Sequence, residues 1–332
     1  MVEEAAFEWF EELGYTVLAG PEIAFGEVKA ERTDPEYRDM ILEGRVRQAL
    51  ARLNPDLPPE ALDDAFRKLT RIDSPSLITR NRDLHSMLVD GVNVEYPRRD
   101  GSIAGAQAWL VDFENPENND WLVVNQFTVA EGQHTRRPDI VIFLNGLPIA
   151  VIELKNPADE NATIWSAFNQ LQTYKAEVPA LFVYNALLII SDGLEARVGS
   201  LSADREWFMP WRTIEGEQLA PASMPQLQVL IEGLFEKRRL LDFLRHFIVF
   251  EDFGKGDPVK KIAGYHQFHA VNKAIQTTLK ATRPTGDRRA GVVSHARLRE
   301  KPDDGVLRGA AGAGTGDAES HHRCHHRPQR FG

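Results

Sequence analysis

The stretch that decides the fold reads Arg136-Arg137-Pro138-Asp139-Ile140-Val141-Ile142-Phe143-Leu144-Asn145-Gly146-Leu147-Pro148-Ile149-Ala150-Val151-Ile152-Glu153-Leu154-Lys155. Two apolar runs rich in Ile and Val meet at Asn-Gly, the pattern of a β-hairpin whose strands are mostly buried. Three charged groups, Asp139, Glu153 and Lys155, stand in these runs. A charge buried without a partner is costly, and a divalent metal ion would supply the missing partner. Residues two apart share a strand face, which puts Glu153 and Lys155 together. A two-residue loop with a regular ladder pairs Asp139 with Ile152 and separates the carboxylates. A three-residue loop over Asn145 to Leu147, or an equivalent bulge, sets Asp139 opposite Glu153. A shared site therefore predicts the odd loop or the bulge.

Working outward, 332 residues allow one large or two modest domains with enough core to fold without disulfides. The single cysteine, Cys324, fits a reducing cytoplasm. No basic leader and no run of membrane-spanning length is present, so a soluble, cytoplasmic protein is expected. A formal charge of −10 argues against coating DNA by bulk electrostatics, so any phosphate binding would be local. Basic clusters occur at Arg45/Arg47/Arg52, Arg67/Lys68/Arg71, Arg80/Arg82, Arg98/Arg99 and Arg136/Arg137. The last pair adjoins the charged hairpin and is the one expected to touch phosphate.

Along the chain, apolar spacing predicts a helix over 3–13, a strand over 15–18 and helices over 35–53, from Pro58 through Leu69, and over 80–88. Strands are expected over 91–96, 106–113 and 121–128. After the hairpin, Asn161-Ala162-Thr163 caps a helix over 164–175 that carries Gln170 and Tyr174 on one face. Strands over 180–184 and 186–191 and a turn at Asp192-Gly193 follow. Leu227 to Phe250 reads as a long helical stretch.

Pro-Asp, a spacer and Glu-x-Lys resemble the PD-(D/E)xK nuclease motif, and Gln170-x-x-x-Tyr174 resembles the QxxxY element found in one branch of those enzymes. With Phe7-Glu8-Trp9-Phe10-Glu11-Glu12-Leu13-Gly14-Tyr15, Asp90-Gly91-Val92-Asn93-Val94-Glu95-Tyr96 and Ser191-Asp192-Gly193, the sequence resembles the nuclease domain of the R (HsdR) subunit of type I restriction enzymes. The resemblance implies an α/β fold with a restriction-endonuclease-like mixed β-sheet core flanked by helices, then a helical linker and an incomplete RecA-like motor domain. The implied boundaries are 1–225 for the nuclease, 226–258 for the linker, 259–293 for the start of the helicase/ATPase domain, and 294–332 for a disordered tail. Lys260 to Val271 resembles the start of the family's first motor domain, which places Gln267 against the adenine of ATP. Gly291-Val292-Val293 would be the strand feeding a phosphate-binding loop.

The family's chemistry implies Mg²⁺-dependent cleavage of double-stranded DNA, with Asp139 and Glu153 as metal ligands and Lys155 orienting or deprotonating the attacking water. Gln170 and Tyr174 would place the phosphate or support Lys155. Related nuclease folds often let an acid of such a first helix support the metal, which makes Glu4 and Glu8 candidates, although exposed helix glutamates usually do nothing specific. Methyltransferase (M) and specificity (S) subunits are the implied partners, and ATP-driven translocation precedes cleavage in the intact family. Two competing readings share these residues: an inactive docking remnant, and a stand-alone repair-type nuclease, for which residues 227–293 have no use.

The phosphate loop is missing. After Val293 comes a Gly/Ala/Arg/His-rich segment without apolar periodicity, and its His321-His322-Arg323-Cys324-His325-His326 run offers no second ligand pair to close a metal site. One choice of synonymous codons for His295 to Asp304 is CAC GCA AGG CTC CGG GAA AAG CCT GAC GAT. Regrouped by one base, they encode Thr-Gln-Gly-Ser-Gly-Lys-Ser-Leu-Thr, a phosphate-binding loop. A frameshift near residue 294 is therefore expected, and sequencing the gene there should find codons compatible with this regrouping. Incompatible codons would remove the idea.

Overall fold

A computed structural model describes residues 2–282 except 75, 99, 157–162, 217 and 255. Residues 1–269 form one compact unit. A second begins at Ala270, and its described residues, 270–282, belong to the last helix. The expected strand at Gly291 to Val293 and the expected frameshifted tail lie outside the described residues.

A six-stranded mixed sheet organises the first unit, in the order β1 (Thr16–Ala19), β4 (Trp121–Asn125), β7 (Ile140–Leu144), β8 (Leu147–Leu154), β9 (Leu187–Ser191) and β10 (Ala196–Gly199). The pairs β1–β4 and β8–β9 are parallel and the other neighbours antiparallel. Every residue of β7 is fully buried, as its unbroken apolar run requires of a strand covered on both faces. One face carries α5 (Ile164–Glu177) and α6 (Pro179–Phe182), whose Phe168, Leu171 and Phe182 meet Val141, Phe143, Val151 and Leu188. Elsewhere α1 (Val2–Glu12) contacts α7 (Gln226–Leu234), and Phe10 packs edge-on against Tyr15 and Phe235. Helices α2 (Glu43–Leu53), α3 (Pro59–Thr70) and α4 (Leu77–Asp90) precede the hairpin of β2 (Val92–Pro97) and β3 (Ile103–Ala108). A second small hairpin joins β5 (Val129–Glu131) to β6 (His134–Arg136).

Several expected elements are corrected. The helix expected over 35–53 begins only at Glu43, because the Asp34 carboxylate takes the backbone N–H groups of Glu36, Arg38 and Asp39, and Tyr37 adopts φ 59°. The strand expected over 106–113 is Ile103–Ala108. It stops where the Asn54 side chain replaces the ladder, bonding both N–H and C=O of Trp109. The strand expected over 121–128 ends at Asn125 before Gln126 at φ 49°. The apolar run 180–184 forms the short helix α6 with Pro179 at its first position, not a strand. The stretch from Leu227 to Phe250 is two helices, α7 and α8 (Lys237–His246), because Glu236 caps the second through the N–H groups of Arg238 and Arg239. Its β-branched end becomes β11 (Ile248–Glu251), paired with β12 (Val259–Ile262) ahead of α9 (Tyr265–Thr282).

The β11–β12 hairpin is held by a buried lysine without a carboxylate. Lys260 donates to Asn81 Oδ1 at 2.9 Å and to the Asn185 carbonyl at 2.6 Å. Burial brings its amine down to about 7. Its carbonyl accepts from Ser200 and Ser202, at the end of β10.

The central hairpin turns through two residues, with Leu144 opposite Leu147 and positive φ at both Asn145 and Gly146, as an Asn-Gly primed turn requires. Gly146 lies so close to α2 that a Cβ there would come within 2.7 Å of the Leu42 carbonyl oxygen. Asn145 is 2% exposed and fully used. It donates to the Leu110 carbonyl (2.9 Å) and Asn119 Oδ1 (2.8 Å), and accepts from Asp120 N–H (2.7 Å) and Arg52 (3.0 Å). Replacing it with Ala strands these groups and leaves a non-Asn side chain in the left-handed region. Asn145→Ala should therefore lose about 2–4 kcal/mol in urea unfolding, read as a lower midpoint at constant slope.

Candidate active site

The turn has two residues, yet the carboxylates meet, because the ladder slips by one. Phe143 pairs with Pro148 and Ile142 with Ala150, which leaves Ile149 as the extra residue of a β-bulge. Beyond it Ile140 faces Ile152, so the next pair outward is Asp139 and Glu153. Of the two arrangements compatible with a shared site, the molecule uses the bulge.

Asp139 is fixed at the mouth of β7. Its carbonyl accepts from Gln126 N–H at 2.9 Å and its Oδ2 from Leu154 N–H at 2.8 Å, while the Gln126 amide reaches Oδ1 at 3.5 Å. Glu153 is 1% exposed, and its Oε2 is buried without a hydrogen-bond partner. Burial, and then the charge of Asp139, push its carboxyl up to about 8 against the opposing pull of Lys155.

Lys155 donates to Glu153 Oε1 at 3.2 Å and to Gln170 Oε1 on α5. Gln170 donates in turn to the Tyr174 hydroxyl at 2.5 Å, four residues along the same helical face. Burial and the charge of Glu153 raise the Tyr174 phenol to about 12, so it stays protonated. The structure thus brings Asp139, Glu153, Lys155, Gln170 and Tyr174 into one chain of contacts.

An orphaned carboxylate oxygen beside a second carboxylate fits a hard divalent cation, and Mg²⁺ is often held by one or two carboxylates with water completing its shell. Among the described residues, no group of three or more His, Cys, Asp and Glu side chains is placed to hold a metal. The candidate centre is accordingly a pair. Glu4 and Glu8 are exposed on α1, whereas Glu3 reaches the neighbourhood by accepting from Asn125 at 3.0 Å.

The flanking arginines differ. Arg136 is held by Glu177 of α5, with His134 at 3.6 Å from the same carboxylate, while Arg137 is exposed. Glu177 was legible as the residue seven beyond Gln170, on the same face of α5. Gln126 was not, because its approach depends on a positive φ. Gln267 uses its Oε1 to accept from Gly264 N–H at 2.8 Å, which caps the start of α9. Among the described residues, no helix is long and apolar enough to cross a membrane.

Comparison with known proteins gives the family. Residues 1–207 match the family described as type I restriction enzyme R protein N terminus. The chain is 40% identical over 299 residues to the type I restriction enzyme HindI endonuclease subunit of Haemophilus influenzae, covering 89% of this chain and 28% of that protein. It is 35% identical over 320 residues to the type I MjaIXP endonuclease subunit, provisionally so named, of Methanocaldococcus jannaschii, covering 90% and 30%. The EcoprrI endonuclease subunit of Escherichia coli is 30% identical over 214 residues, covering 62% and 64%. The chain thus spans less than a third of the length of the first two relatives. With a mixed sheet whose bulged hairpin presents the acid pair, and with this match over its first 207 residues, the chain belongs to the type I restriction enzyme R (HsdR) protein family and carries its N-terminal region.

Proposed function

We propose that this chain is the DNA-cleaving region of a type I restriction R subunit, acting on double-stranded DNA with Mg²⁺. The observation that carries the reading is the buried, partly unpartnered Glu153 carboxylate opposite Asp139, with Lys155 anchored beside it by Gln170. Asp139 and Glu153 would hold the cation, with the Ile152 or Leu154 carbonyl as a further oxygen. When bound, Mg²⁺ supplies charge neutralisation at the scissile phosphate and a more acidic water.

The chain's own residues do the rest. Leu154 N–H fixes the Asp139 carboxylate, so little reorganisation is needed on binding. Gln170, itself fixed by donating to Tyr174, accepts from Lys155 and positions its ammonium to orient water and offset charge building on the phosphate. Arg137 is open to a neighbouring phosphate, and Arg136 becomes so when it exchanges Glu177 for DNA. In this reading the M and S subunits choose the DNA, and ATP drives the motor that the intact family carries. An inert remnant is the second reading, favoured by the lack of a phosphate-loop sequence between Val293 and Gly332.

Purified chain should nick supercoiled plasmid with Mg²⁺ and without ATP. Asp139→Ala, Glu153→Ala and Lys155→Ala should each reduce nicking at least 100-fold, and three active variants would overturn the assignment. Nicking in no condition favours the remnant.

The Glu153 carboxyl, raised from 4.5 to about 8, gives a pH signature. Metal-free protein has the associated stability in full below about 4.5 and loses it as the pH climbs through about 8, so Glu153→Gln should flatten the thermal midpoint over this window. Mg²⁺ must displace the proton. The concentration giving half-maximal thermal stabilisation should therefore rise about tenfold from pH 7.5 to 6.5 in the parent chain. Glu153→Gln should abolish that stabilisation.

Phosphate contacts are separable by salt. In EDTA, Arg137→Ala should weaken DNA binding and flatten its log–log salt dependence by about one, while Glu177→Gln should strengthen binding by freeing Arg136. Unchanged affinity in both variants would remove this edge of β6 from the DNA path.

A further inference from the structure

Several arginines in the basic clusters are answered by carboxylates: Arg45 by Glu31 and Asp120, Arg47 by Glu43 and Asp63, Arg67 by Asp64, and Arg82 by Asp83. Arg80 on α4 is not. It is half-buried, its side chain makes no ion pair or hydrogen bond among the described residues, and its Nε is buried without a partner. A buried donor left unpaired costs free energy that a ligand can return.

Arg80 lines a cavity of about 360 Å³ bordered by α2, α3, α4 and α6. Beside it is the Tyr184 hydroxyl, which burial raises to about 12 and so keeps protonated as a donor. Asp39 lines the same cavity but forms no ion pair with Arg80. Met40, Phe66 and Leu69 contribute apolar wall. The lining thus combines the donors Arg80 and Tyr184, the carboxylates of Asp39 and Glu43, and an apolar surface. Its volume lies at the lower end of the roughly 300–1,000 Å³ of small-molecule sites, enough for a mononucleotide and too small for a duplex.

The geometry points to a binding site for a phosphate monoester on an amino-substituted ring, with the phosphate on Arg80 and Tyr184 and the amino group toward Asp39. The planar guanidinium matches phosphate oxygens in pairs. The site is separate from the acid pair. Tyr184 precedes the start of β9, whereas Lys155 N–H bonds to the carbonyl of Ser191 at its end. The inference therefore stands or falls independently of the nuclease reading. The phosphate could come from a free nucleotide or from the end of a strand.

Calorimetry on the full chain in EDTA tests this with AMP, inosine monophosphate, adenosine, inorganic phosphate and a 5′-phosphorylated trinucleotide. AMP should bind, adenosine at least tenfold more weakly, and inosine monophosphate more weakly than AMP in the parent chain but not in Asp39→Asn. Arg80→Met, which keeps the packing stem, should weaken AMP at least tenfold with its thermal midpoint kept. If that variant unfolds, Tyr184→Phe replaces it, with a loss of at least threefold. A trinucleotide that binds more tightly than AMP and depends on Arg80 or Tyr184 assigns the site to strand ends; the reverse order assigns it to free nucleotides. Absence of binding by AMP, phosphate and trinucleotide at millimolar concentration overturns the site. So does AMP affinity unchanged in folded Arg80→Met and Tyr184→Phe.

Discussion

One constraint governs the site: the Glu153 carboxylate is kept inside a sheet, where water does not reach one of its oxygens. Such a group does not stay ionised on its own, and burial together with Asp139 makes the proton hard to remove. The surroundings hold the pair without neutralising it. Lys155 is shared between Glu153 and Gln170, and Asp139 is fixed by a backbone N–H rather than by a cation. What remains is a deficit of positive charge beside organised oxygens, which is the condition a metal ion relieves.

That deficit exists only because the strands are in the right register. The primed turn at Asn145-Gly146 fixes one end of the hairpin and its contact with α2 leaves no slack. With the turn alone, alternation would send Asp139 to the wrong face. The extra residue at Ile149 resets the count midway along the strand, in the interior of the sheet, where irregularity is paid for by lost ladder bonds. Turn and bulge are two halves of one device, the first setting position and the second setting facing.

Much of this was legible in the residues. Continuous Ile/Val runs gave the buried strands, the spacing of Glu153 and Lys155 gave their common face, and the four-residue interval from Gln170 to Tyr174 gave the helix face that meets them. These are local periodicities, and local periodicity survives folding. The need for a parity change could be stated from counting, but its position could not, because it is set by how the hairpin tip docks. The segment 180–184 failed as a strand for a related reason: an apolar run behind Pro179 is equally a buried helical turn, and only its place between α5 and β9 decides. Likewise the residues before α2 have helical spacing, but the Asp34 side chain takes their N–H groups first.

The small hairpin of β11 and β12 acquires a mechanical meaning from Lys260. Its ammonium is tied to Asn81 and Asn185, and its carbonyl is gripped by two serines at the end of β10, the edge of the sheet that bears Glu153. Tension applied to the chain just after Ile262 would therefore be carried into the sheet through one buried side chain and a handful of hydrogen bonds. That hairpin is a tether with a definite attachment point, two strands from the strand that carries Glu153.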